Sequence, residues 1–494
     1  MGAEAALYKP EWLTYPENPA ELDRRIWTQS FDRADDGELT VDGVRVSQLA
    51  EKFGTPEYVF SEDTFRARAR EFRTAFEDAF SAHGAEVSVY YAGKAFLTTA
   101  VAAWAKEEGL NIDTASGGEL GIALRAGVPG DRIALHGNNK SVAEIRRALE
   151  NKVGRIVADS VPEVQLIAQV AAEMGVVAPI MLRLTPGVHA STHDFIATAH
   201  EDQKFGQSLV EGTSGLSGLS LEELLELGLD ANDCYAAISV AIAHREQSLD
   251  LRGLHCHIGS QIFEADGFGK AAEKVLTFMH EMNQRFGITM PEIDLGGGYG
   301  IGYTEEDHPR GSADVATSLA DMVSKTCANL GMDIPHLSFE PGRSIAGPSG
   351  ITLYTVGTIK NVSIEDENGD TRVRRYVSVD GGMSDNARPV LYESDYTATL
   401  ANRTPAGEQV LSRVVGKHCE SGDIVVRYVY LPEDLQAGDI LAVPATGAYC
   451  FALSSNYNYL TKPGVVTTSA DKAPREIVRR ETEEDMLRRD MGLV

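Results

Sequence analysis

The chain has 494 residues, 43% of them hydrophobic and 24% charged, with a formal net charge of −28. This length exceeds one ordinary hydrophobic core, so two or more domains are expected. The negative charge is spread along the chain and repels nucleic-acid phosphates and anionic membrane surfaces, which argues against both as partners. The start, Met1-Gly2-Ala3-Glu4-Ala5, lacks a basic or apolar leader, and no stretch of roughly 18 apolar residues is present to span a bilayer. Five scattered cysteines (Cys234, Cys256, Cys327, Cys419, Cys450) argue against a disulfide framework and for a reducing compartment, so a cytoplasmic protein is expected.

In chain order, residues 1–60 are expected to join a later β domain, because 39–60 are β-rich. A strand-then-helix rhythm follows. Short apolar runs predict strands at 87–92, 111–115, 132–136, 155–159, 179–184, 252–258, 291–295 and 336–340. Helical patterns fall between them, for example Leu97–Glu108, Gly118–Ala126, Val142–Asn151 and Val161–Met174. Eight such units predict a closed (β/α)8 barrel over 61–347; a doubly wound open sheet is the alternative. Residues 207–250 read as an insertion, with a Gly/Ser-rich patch and two helical runs, serving either as a lid or as a surface elaboration. Beyond 348, β-branched runs such as Ile351–Ile359, Val373–Val379, Ile424–Tyr430 and Ile440–Val443 alternate with Gly-Asp turns, predicting an antiparallel C-terminal β-sandwich or barrel. The charged tail Glu476–Arg489 reads as a surface helix.

In such a barrel, chemistry sits at the C-terminal strand ends. Lys94 stands just past the first predicted strand, suitably placed to form a Schiff base with an aldehyde cofactor. Asp113 lies near the end of the second strand, where core hydrogen bonding competes with a functional role, and His136 ends the third. In His255-Cys256-His257, alternation puts both histidines on one face, which argues against a three-ligand metal tripod and leaves an inward imidazole to stack on an aromatic ring; no metal is expected. Gly296-Gly297-Gly298 can offer backbone N–H groups to a phosphate, and Arg343 can add a bidentate charge partner, although a tight turn and a structural ion pair explain them equally well. Glu340, at the last strand end, suits a pyridinium nitrogen. Cys419 beside Glu420 is a possible acid–base pair.

These segments together resemble the diaminopimelate decarboxylases, of the fold-type III pyridoxal-phosphate enzymes. The resemblance rests on Tyr91-Ala92-Gly93-Lys94-Ala95, the run from His200 to Gly206, 255–261, the triple glycine, Glu340-Pro341-Gly342-Arg343, Asp385 to Pro389, Cys419 to Asp423 and Gly447-Ala448-Tyr449. It implies a pyridoxal 5'-phosphate enzyme that decarboxylates meso-2,6-diaminopimelate to L-lysine and CO2, the last step of lysine synthesis. It implies that Lys94 carries the cofactor, and that Asp113, His257, Ser260, Gly297, Gly298, Glu340, Gly342, Arg343 and Tyr449 surround it. Cys419 is then the proton donor, and Arg343, Arg388, Tyr392, Glu420 and Tyr449 line the substrate site. The family implies a homodimer in which Cys419 and Glu420 serve the partner's site. The chain departs from many relatives at Thr185-Pro186-Gly187-Val188-His189 and in its long 207–250 segment. Rival readings are a decarboxylase of ornithine, arginine or carboxynorspermidine, a racemase, and a non-catalytic regulator with this fold.

Overall fold

The computed structural model describes residues 8–188, 203–366 and 368–492. The chain divides into two compact units. One comprises Arg68–Gly300 and Arg310–Gly342; the other comprises residues up to Ala67, Ile301–Pro309 and Arg343 onward.

The first unit is a closed parallel barrel. Its eight strands are Val87–Ala92, Asn111–Thr114, Ile133–Leu135, Arg155–Ala158, Ala178–Thr185, Leu249–Cys256, Glu292–Asp294 and His336–Phe339. Each pairs in parallel with the next, and the eighth returns to the first through Leu337 opposite Val87. All eight predicted strands are present. Four of the intervening helices begin at side-chain caps: Thr98, Ser116, Ser141 and Ser160 each accept an N–H from the first turn. Each cap is worth about 1 kcal/mol and fixes where its helix begins.

The 207–250 segment differs from its reading as an insertion. Its helix Tyr235–Arg245 has every residue from Ala236 to Ala243 buried and is the barrel helix preceding the sixth strand. A helix apolar all round belongs to the core, not to a lid. Gln207–Ser208 adds a short parallel strand beside the fifth. The irregular connection therefore lies before residue 235. His189 and the motif residues His200, Glu201 and Asp202 lie outside the described residues.

The second unit is built on the long strand Gly350–Glu365. It pairs antiparallel with Glu57–Ser61, Thr371–Val379 and Ile440–Val443. The predominantly antiparallel pattern is as expected, but two pairings are parallel: Glu57–Ser61 with Val465–Ser469, and Thr371–Val379 with Gln409–Val415. Strands distant in sequence can meet in parallel because long connections replace a hairpin. Two local expectations are corrected. Within the β-rich 39–60 run, Val46–Phe53 is a helix, burying Val46 and Leu49 at i and i+3. Within the tail, Glu476–Val478 ends the edge strand Lys472–Val478, and only Glu483–Leu487 is helical. The charges Lys472, Arg475 and Glu476 suit such an edge, since they discourage further strand pairing.

Candidate active site

Strand alternation decides what fills the barrel. Tyr90 and Ala92 share one face of the first strand, and Lys94 stands in the turn two residues past its end. On the other strands the inward positions include Asp113, His136, Arg155, Arg183, His255, Asp294, Ser338 and Glu340. The interior is therefore polar in two tiers, where a barrel of this type is usually packed with branched residues.

The upper tier centres on Glu340, which is buried. Its carboxylate lies 2.9 Å from His136 Nε2 and 3.4 Å from His255 Nε2. His136 Nε2 also approaches Asp113 at 3.4 Å. Burial alone would raise the Glu340 pKa, but the two imidazoles outweigh it and hold the carboxyl well below its ordinary value. Burial pushes His255 down to about 3, so it stays neutral and serves as a hydrogen-bonding group. Oε1 faces His136 Nε2 and Oε2 faces His255 Nε2, and each carboxylate oxygen has a further lone pair to offer. Glu340 thus keeps an acceptor open to a cationic N–H. Ligand atoms of His136, His255 and Glu340 all lie within 4.8 Å of one another, a set that could also hold a divalent ion. The His255-Cys256-His257 run contributes only His255 to it.

Lys94 is exposed between the buried Gly93 and Ala95. Its backbone is pinned: Gly93 N–H donates to Asp113 O at 2.9 Å, and Ala92 N–H to Pro341 O at 3.1 Å. Its charge acts on Asp113, Glu119 and His257. His257 is pushed well below its ordinary value by burial, then by the charges of Lys94 and Arg183. Neutral His257 accepts the Gly297 N–H at Nδ1, 3.2 Å away. The triple glycine is required by packing. A Cβ at Gly297 would lie 2.1 Å from Glu340 O, and Gly298 has φ +120° with a Cβ position 2.4 Å from Gly259 O. Gly342 is similarly tight, its Cβ position 2.9 Å from Ala92 Cβ. Ser260 is half-buried four residues beyond the sixth strand. Pyridoxal phosphate fits this constellation: an accessible amine, a backbone cradle without side chains and an acceptor with an open lone pair.

A second cluster lies in the other unit. Arg343, at the start of a short helix, donates from Nη1 to Tyr303 Oη. Arg388 donates to the same oxygen at 3.1 Å and to Ser394 Oγ at 3.0 Å. The Arg343 guanidinium lies over the Tyr449 ring at 4.8 Å, and that of Arg388 over Tyr303 at 5.0 Å. Both arginines are buried. Two buried cations sharing a phenol oxygen make a receptor for an anion. Tyr392 shares the helix Arg388–Tyr392 and is half-buried, while the Arg388 guanidinium faces Tyr303, Tyr396 and Tyr449. Tyr303 escaped sequence reasoning because a lone tyrosine between two barrel elements carries no local signal. Tyr303→Phe is expected to raise KM for a dicarboxylate substrate about tenfold, the scale of one hydrogen bond to a charged group, with kcat changed less; steady-state kinetics checks this.

Beside Arg388, Asp385 accepts from Tyr354 Oη at 2.6 Å and from Gly382 N–H at 3.1 Å. Burial pushes its pKa up to about 7. The folded state therefore binds this proton more tightly than the unfolded chain. The contribution to stability is complete below the ordinary value of 3.8 and is lost as pH rises through about 7. Asp385→Asn is expected to flatten the fall in Tm between about pH 4 and pH 7, read by thermal unfolding at stepped pH.

Cys419 and Glu420 are exposed on a turn. Cys419 N–H donates to Asn458 Oδ1 at 2.8 Å, and Glu420 accepts from Gly422 N–H at 3.3 Å. The adjoining His418 and Asp423 form a buried pair at 2.9 Å, with His418 stacked on Tyr457.

Residues 62–232 and 228–347 match the family profile described as "Pyridoxal-dependent decarboxylase, pyridoxal binding domain". More than half of the chain is therefore a pyridoxal-binding decarboxylase domain, and the closed barrel is its fold. Among curated relatives, diaminopimelate decarboxylase of Corynebacterium efficiens is 47% identical over 467 residues, 94% of each chain. That of Mycobacterium tuberculosis is 45% identical over 466 residues, 94% of this chain and 97% of the relative. The crystal structure of diaminopimelate decarboxylase from M. jannaschii in complex with L-lysine matches with a TM-score of 0.80 at 30% identity, covering 94% of this chain and 98% of that one. The chain belongs to the diaminopimelate decarboxylase family.

Proposed function

We propose that this protein decarboxylates meso-2,6-diaminopimelate to L-lysine and CO2 with pyridoxal phosphate. The observation that carries the reading lies within the barrel: an accessible Lys94 amine just past one strand end and the buried Glu340 carboxylate at another. When bound, pyridoxal phosphate supplies an electron sink for the pair left by a departing carboxylate. Lys94 offers the amine that attaches the cofactor. Glu340 holds a proton on the ring nitrogen, and neutral His257 presents a ring face for stacking. Gly297, Gly298, Ser260, Gly342 and Tyr449 surround the cofactor, with Asp113 behind it. Asp113 supports the barrel-end network through His136.

Arg388 and Arg343 serve the substrate carboxylates, with Tyr303 aligning both. Glu420 suits the distal ammonium, and Tyr392 and Tyr449 line the substrate. Substrates such as ornithine lack the distal carboxylate and would leave Arg388 without its anion, which penalises their binding. Cys419 donates a proton to Cα, completing the exchange of CO2 for hydrogen. Its exposure, with that of Glu420, supports a homodimer in which both reach the partner's site. Five free cysteines fit a reducing, cytoplasmic setting. No described helix is long and apolar enough to cross a membrane.

The test is direct. Protein, pyridoxal phosphate and meso-diaminopimelate are mixed and lysine is measured, alongside ornithine, arginine and carboxynorspermidine. Lysine from diaminopimelate, with little turnover of the others, is expected; CO2 release chiefly from another amino acid would replace this reading. Arg388→Ala is expected to lower kcat/KM for diaminopimelate roughly 10²-fold, the scale of a lost charge-assisted pair. Pyridoxal phosphate affinity should change little, and equal loss of both would remove Arg388 from the substrate site.

A further inference from the structure

Below the Glu340 tier lies a second set of charges to which the reaction assigns no role. Arg155, the first residue of the fourth strand, is among the largest fully buried side chains. Its guanidinium crosses the barrel. Nη1 donates to Glu292 and Nη2 to Asp294, both on the seventh strand, and Nη1 also reaches Ser338 Oγ on the eighth at 3.2 Å. The guanidinium lies 3.8 Å from the centre of the Tyr90 ring on the first strand. Nη1 also lies 3.3 Å from Met181 Sδ on the fifth strand, so one side chain ties together five of the eight strands.

Stability alone gives a weak reason for this arrangement. Desolvating a buried ion pair commonly cancels its attraction, and apolar residues of similar size do as well or better. What such a pair can supply is a fixed geometry, and here the geometry leads upward. Asp294 Oδ2 is held by Arg155, while its Oδ1 accepts the Gly296 N–H at 2.7 Å. Gly296 O in turn accepts the Glu340 N–H at 2.9 Å, and Leu295 N–H donates to Ser338 O at 3.0 Å. The turn that begins the triple glycine is sewn to the eighth strand on one side and to Asp294 from below. Without Cβ atoms it has little stiffness of its own, so its shape depends on these bonds.

We propose that Arg155 is a positioning residue: clamped to Asp294 and Glu292, it sets the conformation of the Gly296–Gly298 turn and thereby the grip on the phosphate of the cofactor. This rests on the reading that the turn cradles that phosphate. Lysine cannot replace arginine here, because an ammonium lacks the planar fork that meets two carboxylates at once.

The experiment uses full-length apoprotein and two probes, pyridoxal phosphate and pyridoxal, which lacks the phosphate. Dissociation constants are measured by absorbance titration for the unsubstituted protein, Arg155→Lys, Arg155→Met and Asp294→Asn. Arg155→Lys keeps the buried charge and guards against a folding failure in Arg155→Met. The expected result is at least about tenfold weaker binding of pyridoxal phosphate in Arg155→Lys, with pyridoxal changed less than about twofold. Asp294→Asn should move the same ratio in the same direction. Equal weakening of both aldehydes, or an unchanged ratio in Arg155→Lys, overturns the proposal. If the unsubstituted protein binds pyridoxal as tightly as pyridoxal phosphate, the phosphate reading of the turn fails first and takes the proposal with it.

Discussion

Lys94→Ala is expected to abolish turnover, by on the order of 10⁴-fold or more, and to remove the near-visible absorbance that covalently held pyridoxal phosphate gives. Gly93 and Ala92 are hydrogen-bonded to Asp113 and Pro341, so the root of the side chain is fixed while its amine stays accessible. An amine delivered from a rigid strand end meets its target without a conformational search, which is where much of the catalytic advantage of such groups arises. Lys94→Arg separates charge from nucleophilicity. The guanidinium keeps the positive charge beside Asp113 and His257 but is not deprotonated in proteins and cannot attack an aldehyde. Both variants should therefore be inactive, with Lys94→Arg retaining the fold and the Tm more fully. An absorption spectrum of the reconstituted variants, together with a lysine assay, checks the expectation. A persisting band in Lys94→Ala would place the attachment elsewhere.

Cys419→Ala is expected to slow turnover by about 10²–10⁴-fold, the range for loss of a general acid, while the cofactor absorbance remains. The more informative measurement mixes subunits. Lys94→Ala and Cys419→Ala are each nearly inactive alone. If Cys419 serves the partner's site, random pairing makes about half of the dimers mixed, each with one intact site of two, so activity should recover to about a quarter of the unsubstituted level. Recovery needs no new contact, only that the two residues of one working site come from different chains. Absence of recovery in a confirmed mixed dimer would mean that each subunit uses its own Cys419. Tyr303→Phe, Arg388→Ala and the Arg155 variants read different parts of the same chemistry. The first two move substrate parameters, and the last moves discrimination between phosphorylated and unphosphorylated aldehyde.

Much of the barrel was legible because its strands are short apolar runs ending in polar residues, with helical patterns between most of them. Lys94 and Glu340 could be read as strand-end groups on the same ground. The errors share one cause. The Tyr235–Arg245 helix reads as part of an insertion because its neighbours are glycine- and serine-rich, yet its burial on all sides makes it a barrel helix. Glu476–Val478, the start of the charged tail, reads as helix from its charges, but these residues end the strand Lys472–Val478, and its partner at Val465–Ser469 decides their state. Propensity is weak beside such pairing.

Composition, periodicity and motif order determined from the chain alone that this is an acidic barrel enzyme with a lysine and a glutamate at strand ends, since those features depend on near neighbours in sequence. Tertiary structure decided which charges meet. Arg155 reaches Glu292 and Asp294 across 137 and 139 residues, and Tyr303 joins Arg388 across 85. Closing the barrel and folding the second unit bring such groups within hydrogen-bond reach, and inside a low-dielectric interior those encounters set ionisation and geometry. No local pattern encodes a partner that lies across a barrel.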